Sequence, residues 1–144
     1  MALRVYFFWK WSHIGLDSYG NEPRLWVNCH VDSQVEKLRD SYGILLGAIS
    51  SDFSDVARCD KALSFIERLA SGEILEWTWE GQNFFHDLCK EKVLLEHAVF
   101  GECPEWPILC FPLDCYEKII KGWKMFLEMP RAVDSCIQVD LDLS

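Results

Sequence analysis

The side chains of this 144-residue chain that could do chemistry are its seven cysteines, four histidines and twenty-three carboxylates. Cys103, Cys110 and Cys115 with His86 or His97 would supply the four sulfur and nitrogen donors of a tetrahedral zinc site. Such donors come in closely spaced pairs, whereas these cysteines stand seven and five residues apart, across an expected strand and the start of an expected helix. They read as ordinary thiols, and no metal is expected. His86 and Cys89 lie three apart in Phe84–Lys90. In a strand they face opposite ways, which leaves a cysteine nucleophile without a histidine base. Glu76 and Glu80 mimic the carboxylate pair of a glycosidase. On an extended strand they stand ~13 Å apart, beyond the ~6.5–9.5 Å of inverting enzymes. A solvated strand face is the simplest reading. The sequence holds no catalytic signature and no cofactor motif. An enzyme would need a pocket that brings His86, His97 and carboxylates together.

The elements that must position these residues centre on Gly72–Phe111. Leu75, Trp77 and Trp79 alternate with Glu76, Thr78 and Glu80, the period of a strand with one buried face. Gly81-Gln82-Asn83 turns the chain into Phe84–Lys90, and Lys90-Glu91-Lys92 turns it again into Val93–Phe100. Gly101, Pro104 and Pro107 break the link to Ile108–Phe111. The spacing predicts a four-stranded antiparallel meander. Tryptophans on a strand's apolar face more often belong to a core than to a ligand site.

Before the meander, Leu3–Trp11 and Arg24–Val31 read as an antiparallel pair of strands joined by a loop over Ser12–Pro23. Cys29 and His30 fall on opposite faces of the second strand. Ser33 and Glu36 form a capping-box pattern, and Val35, Leu38 and Tyr42 recur at helical spacing. Gly43 and Gly47 weaken the continuation, so Ile44–Ile49 is either a last apolar turn or a short buried strand. Ser50–Asp55 reads as a polar loop. From Asp55 to Ala70, Val56, Cys59, Leu63, Ile66 and Ala70 form a helical stripe that Gly72 ends. This helix is expected across the inner face of the meander, against the tryptophans. After the meander, Asp114 and Glu117 make a cap pair. Tyr116, Ile119, Ile120, Trp123, Phe126 and Leu127 form the clearest amphipathic pattern, which Pro130 ends. Residues 131–144 alternate again, as an edge strand or a loose acidic tail. With no repeat and no long linker, 1–144 reads as one domain. Its class is α+β, an antiparallel sheet (N-terminal hairpin plus four-stranded meander) with helices packed on one face.

Charge is uneven along the chain. Residues 1–72 carry nine acids and eight bases, and residues 73–144 carry fourteen acids and six bases. An acidic surface repels phosphate backbones, which argues against direct nucleic-acid binding, and it speeds encounter with a basic protein. Seven cysteines without a Cys-x-x-Cys pair imply reduced thiols and a cytoplasmic setting. The N-terminus lacks the shape of a signal peptide, and no apolar run approaches a membrane span. Trp106, between Glu105 and Pro107 in a Pro-rich loop, suits either an interface anchor or a lid over the core. Asp52, Phe53 and Asp55 repeat the acid–aromatic–acid arrangement, with capping an equal use for Asp55.

Taken together, residues 60–128 resemble bacterial immunity proteins of the contact-dependent growth inhibition and polymorphic-toxin systems. The resemblance rests on the order of elements, on Gly72-Glu73-Ile74, on the W-x-W-E-G-x-N of Trp77–Asn83, and on the W-x-x-F-L of Trp123–Leu127. Such proteins usually have Glu-Gly-Asn where this chain has the longer Glu80-Gly81-Gln82-Asn83, and residues 1–59 add no match. The resemblance implies a cytoplasmic protein without catalysis that binds and neutralises a cognate toxin domain, often a basic nuclease. Asp52, Asp55, Glu76, Glu80, Glu91, Glu102 and Glu105 are the expected toxin contacts, with Phe53 and Trp106 as anchors. The alternative is an acidic adaptor on a basic host protein.

Overall fold

Alternation builds the first sheet. The computed structural model describes residues 1–12 and 24–143 of the chain, so the expected loop lies, past Ser12, outside the described residues. β1 (Ala2–Ser12) pairs antiparallel with β2 (Arg24–Asp32), Val5 opposite Val31 and Phe7 opposite Cys29. On its other side β1 pairs antiparallel with the tail, which forms β7 (Cys136–Asp142), Leu3 opposite Leu141 and Val5 opposite Val139. Of the two readings of the tail, the edge strand is the one found. Leu3, Val5, Phe7, Val31 and Leu141 are buried on the inner face, while Arg4, Lys10 and His30 lie exposed on the outer one.

The meander forms a second sheet, separate from the hairpin. Its strands are β3 (Glu76–Glu80), β4 (Phe84–Cys89), β5 (Lys92–His97) and β6 (Leu109–Pro112), paired in that order. Trp77, Leu88, Val93 and Phe111 make one inward cross-strand row, and Trp79, His86, Leu95 and Leu109 the next. Successive residues of a strand point to opposite faces, so Thr78, Asp87, Leu94 and Cys110 make an outward row.

Three helices among the described residues close the two inner faces: α1 (Glu36–Asp52), α2 (Val56–Ala70) and α3 (Leu113–Leu127). α1 runs through Gly43 and Gly47, so Ile44–Ile49 is helical rather than a strand. Burial of Leu45, Leu46, Ala48 and Ile49 outweighs the ~1 kcal/mol that each glycine costs relative to alanine. The expected capping box is not made. Val35 is the N-cap, and the Ser33 hydroxyl accepts from Val35 N at 3.1 Å in a tight turn. Asp55 caps α2 as expected, accepting from Arg58 N at 2.8 Å, and Gly72 follows the helix at φ +81°. Phe65 of α2 stacks on Trp77 at 4.7 Å, and Lys61 lies 5.4 Å above Trp79.

α3 is the central element and packs against α1, α2, β1, β5, β6 and β7. It begins after Pro112, and the Asp114 carboxylate accepts from the neighbouring Cys115 N instead of capping. Tyr116, Ile119, Ile120, Trp123 and Phe126 are buried, as the stripe requires. Trp123 Nε1 donates to Phe53 O at 2.7 Å. Gly122 has a use that its helix cost hides: a Cβ there would overlap Val139 Cγ2, so the α3 backbone packs directly on that methyl group of β7.

Candidate partner-binding face

The residue types that suggest catalysis meet inside the protein. The last turn of α1 delivers Asp52 against β4, where the inward row carries His86. His86 Nε2 lies 2.8 Å from Asp52 Oδ2, and His86 Nδ1 lies 2.8 Å from the Tyr116 hydroxyl on α3. Asn83 N donates to Asp52 Oδ1 at 3.2 Å, and Asn83 Nδ2 donates to Ser51 Oγ at 3.1 Å. Gly81 is required at the same turn, because a Cβ there would overlap the Asp52 carboxylate. Phe53 walls the cluster, its ring 5.3 Å from His86 and 6.5 Å from Tyr116. Burial, reinforced by the Asp52 charge, holds the Tyr116 phenol well above its ordinary pKa.

An Asp–His–Tyr chain of this kind resembles a proton relay, but the Asp52 and His86 side chains are 0% exposed and Tyr116 is equally sealed. The nearest opening is a surface pocket lined by Ser51, Asp52, Ser54, Arg58, Trp79 and Glu80, onto which the Asp52 and His86 side chains are not exposed. What the cluster does is tie α1, β4 and α3 together through satisfied buried polar groups. His97, the other histidine considered for a site, lies elsewhere, stacked on Phe100 at 4.8 Å and tilted against Trp106 at 4.4 Å. Cys103, Cys110 and Cys115 also separate. Cys103 belongs to the β5–β6 loop, Cys110 is exposed on the outer face of β6, and Cys115 is buried in α3. Among the described residues no three His, Cys, Asp or Glu side chains come together in a way that could hold a metal ion.

The outer face of the meander is open. Glu76, Thr78 and Glu80 of β3 are exposed, and Asp87 of β4 is exposed beside them. Thr78 Oγ1 donates to Asp87 Oδ1 at 2.9 Å. The register sets Glu80, Phe85 and Glu96 in one outward row and Thr78, Asp87, Leu94 and Cys110 in the next. Adjacent rows on one face lie about 7 Å apart. The result is four carboxylates, Glu76, Glu80, Asp87 and Glu96, around the half-buried Phe85 and Leu94, with Lys92 at one end. Glu91 is exposed in the β4–β5 turn, and Glu102 and Glu105 are exposed in the β5–β6 loop.

Of the expected contact residues, Glu76, Glu80, Glu91, Glu102 and Glu105 therefore reach solvent on the meander and its turns. Asp52 and Phe53 do not. Asp52 is 4% exposed and Phe53 0%, because α1 extends to Asp52, into the segment read as a polar loop, and its C-cap Phe53 also turns inward. Asp55 spends one carboxylate oxygen on the α2 cap and pairs the other with Arg58. Trp106 is half-buried against Phe84 at 5.9 Å and His97 at 4.4 Å, folded back by paired backbone hydrogen bonds with Cys103. It lies nearer the lid than the anchor. Asp87, Glu96, Phe85 and Leu94 were not assigned to the face from sequence. Extending the Glu76–Thr78–Glu80 alternation across the Gly81–Asn83 turn would have found them. No family profile, curated protein or solved structure matches the chain.

Proposed function

We propose that this chain is an immunity-type binding protein that neutralises a cognate toxin domain, a basic protein of nuclease type, and that it has no catalysis of its own. The observation that carries this reading is the outer face of the meander, where Glu76, Glu80, Asp87 and Glu96 surround an apolar strip with Lys92 as the one cation in the outward rows. A nuclease groove built for phosphates is cationic, and carboxylates spaced on a rigid sheet would compete for it. Steering by such a face raises association towards about 10⁸–10⁹ M⁻¹s⁻¹ at low salt. The sealed Asp52–His86–Tyr116 cluster supports the scaffold role of the interior. No helix among the described residues is long and apolar enough to cross a membrane. The expected setting is the cytoplasm.

Co-purification from the native host tests the reading. The expected result is one basic protein retained at low salt and released at high salt, whose toxic activity is blocked by a stoichiometric amount of this chain. Retention of no basic protein, or of one whose activity the chain leaves intact, would overturn it. An adaptor role predicts a basic partner with no toxic activity, so the same experiment separates the two readings.

A further inference from the structure

The tip of the loop between β5 and β6 presents two large apolar side chains to solvent, Val99 at 74% exposure and Phe100 at 64%, while Ile108 at its far end is 39% exposed. Exposed side chains at a loop tip are ordinarily free, but this tip is fixed. His97 Nδ1 accepts from Val99 N at 3.2 Å and from Phe100 N at 3.1 Å, and Gly101 N donates to His97 O at 2.9 Å. Ala98 N is held by Asn83 O at 2.8 Å. Gly101 closes the turn at φ +62°, a conformation that favours glycine. The Phe100 ring stacks on His97, His97 packs on Trp106, and Trp106 meets Phe84 of the core, so the tip stands on a column of rings. An apolar group held rigidly in water costs little further entropy when it is buried by a partner, which is the property of an interface hot spot.

The surroundings of the tip are negative. From residue 93 to residue 109 the chain contains no lysine or arginine, and it contains Glu96, Glu102 and Glu105. A Cβ on Gly101 would lie 3.8 Å from Glu96 Oε1, so that carboxylate borders the tip directly. Glu102 follows in sequence, and Glu105 is exposed on the Cys103–Trp106 turn whose tryptophan supports His97. The tip is also continuous with the acidic outer face, because Glu96 belongs to both.

We propose that Phe100, with Val99, is the apolar anchor of the interface, seated in an apolar recess of the partner whose border is lined by lysine and arginine. This assignment rests on the reading of the chain as a binder of a basic toxin domain, and it replaces Trp106 and Phe53 as anchors. The recess takes the ring and the cationic border pairs with Glu96, Glu102 and Glu105. The apolar contact governs dissociation, and the charges govern approach.

The test uses the full chain and the basic protein that co-purifies with it, both purified, in equilibrium and kinetic binding. Phe100→Ala is expected to weaken binding by about 30-fold or more, chiefly through faster dissociation and to the same degree at low and high salt. Its unfolding midpoint should fall only slightly, by the loss of one largely exposed stacking contact with His97. Phe100→Leu keeps an apolar side chain and is expected to lose about fivefold or less. The triple reversal Glu76→Lys/Glu80→Lys/Glu96→Lys should instead slow association. If Phe100→Ala binds within about threefold of the wild type while the triple reversal is impaired, the anchor is wrong and the acidic-face reading stands. If no basic partner is retained by the wild type, both fall. A concentration-dependent dimer of the free chain that Phe100→Ala abolishes would assign the tip to a second copy and overturn the proposal.

Discussion

Two consecutive residues of β4 face opposite environments. His86 turns inward, where both its ring nitrogens are hydrogen-bonded, to Asp52 and to Tyr116, and neither the His86 nor the Asp52 side chain is exposed. Asp87 turns outward to Thr78 and lies between Glu76 and Glu80 on an exposed sheet face. The same residue types therefore have opposite uses. Inside, a carboxylate and a histidine hold three elements in register, and losing one strands the others. Outside, carboxylates contribute little to folding and are free to serve recognition. Titratable side chains alone do not mark a site; solvent access decides what they can do.

The contrast can be broken in several ways, the largest first. Asp52→Ala removes the acceptor of His86 Nε2 and of Asn83 N, and it should lower unfolding free energy by about 3–5 kcal/mol. Asp87→Ala, one residue from His86 in sequence, should change it by about 0.5 kcal/mol or less. Urea denaturation of the pair measures both. Equal effects would mean that the interior cluster is not the structural tie.

High pH probes the inner groups together. Burial pushes the Cys29 thiol up to about 11 and the Cys59 thiol up to about 12, and it raises Cys115, Tyr42 and Tyr116 as well. These groups favour the neutral form more strongly in the folded state than in the unfolded chain. Their contribution is full below the unfolded values, about 8.5 for thiols and 10 for phenols, and is lost as pH rises through the folded ones. Stability should fall by about 4 kcal/mol between pH 8 and pH 10 from the Cys29 and Cys59 thiols together, with the other raised groups adding loss of the same sign. A urea midpoint that stays level over that range would contradict the burial assigned to these groups.

Tyr116→Phe is a smaller cut. It removes only the hydroxyl that meets His86 Nδ1, and it should cost about 1–2 kcal/mol. Smallest of all is the outer face, where Glu80→Lys should leave the unfolding midpoint within about 0.5 kcal/mol of the wild type. Unfolding curves of the two variants side by side rank the faces, and a larger loss from Glu80→Lys would reverse the ranking.

Sequence reading reached the outer face more easily than the inner one, and the reason is range. Period-two alternation in Glu76–Glu80 places Glu76 and Glu80 opposite Trp77 and Trp79 without any knowledge of distant residues, whereas Leu75, read onto the same buried face, precedes β3 and is 85% exposed. The Asp55 cap, the Gly72 stop and the stripe of α3 are equally local. Asp52 is different, because its partner His86 lies 34 residues away. The string Ser50–Asp55 looks like a loop until Asp52 is counted in phase with Ala48 on the buried side of a helix that Phe53 caps. His86 offered a signal as well, since alternation puts it on the core face between Trp79 and Leu95, where a histidine needs a partner. Gly122 could not have been read correctly, because its reason is a methyl group of Val139 on a strand that forms only in the folded chain.

The most direct test is the association rate of the purified basic partner with the wild-type chain and with Glu76→Lys/Glu80→Lys/Glu96→Lys, followed from low to physiological salt. If the outer face of the meander is the working surface, the triple reversal slows association at low salt by about tenfold or more, flattens its salt dependence and leaves the unfolding midpoint in place. Identical rates and identical salt dependence in the two proteins would contradict it.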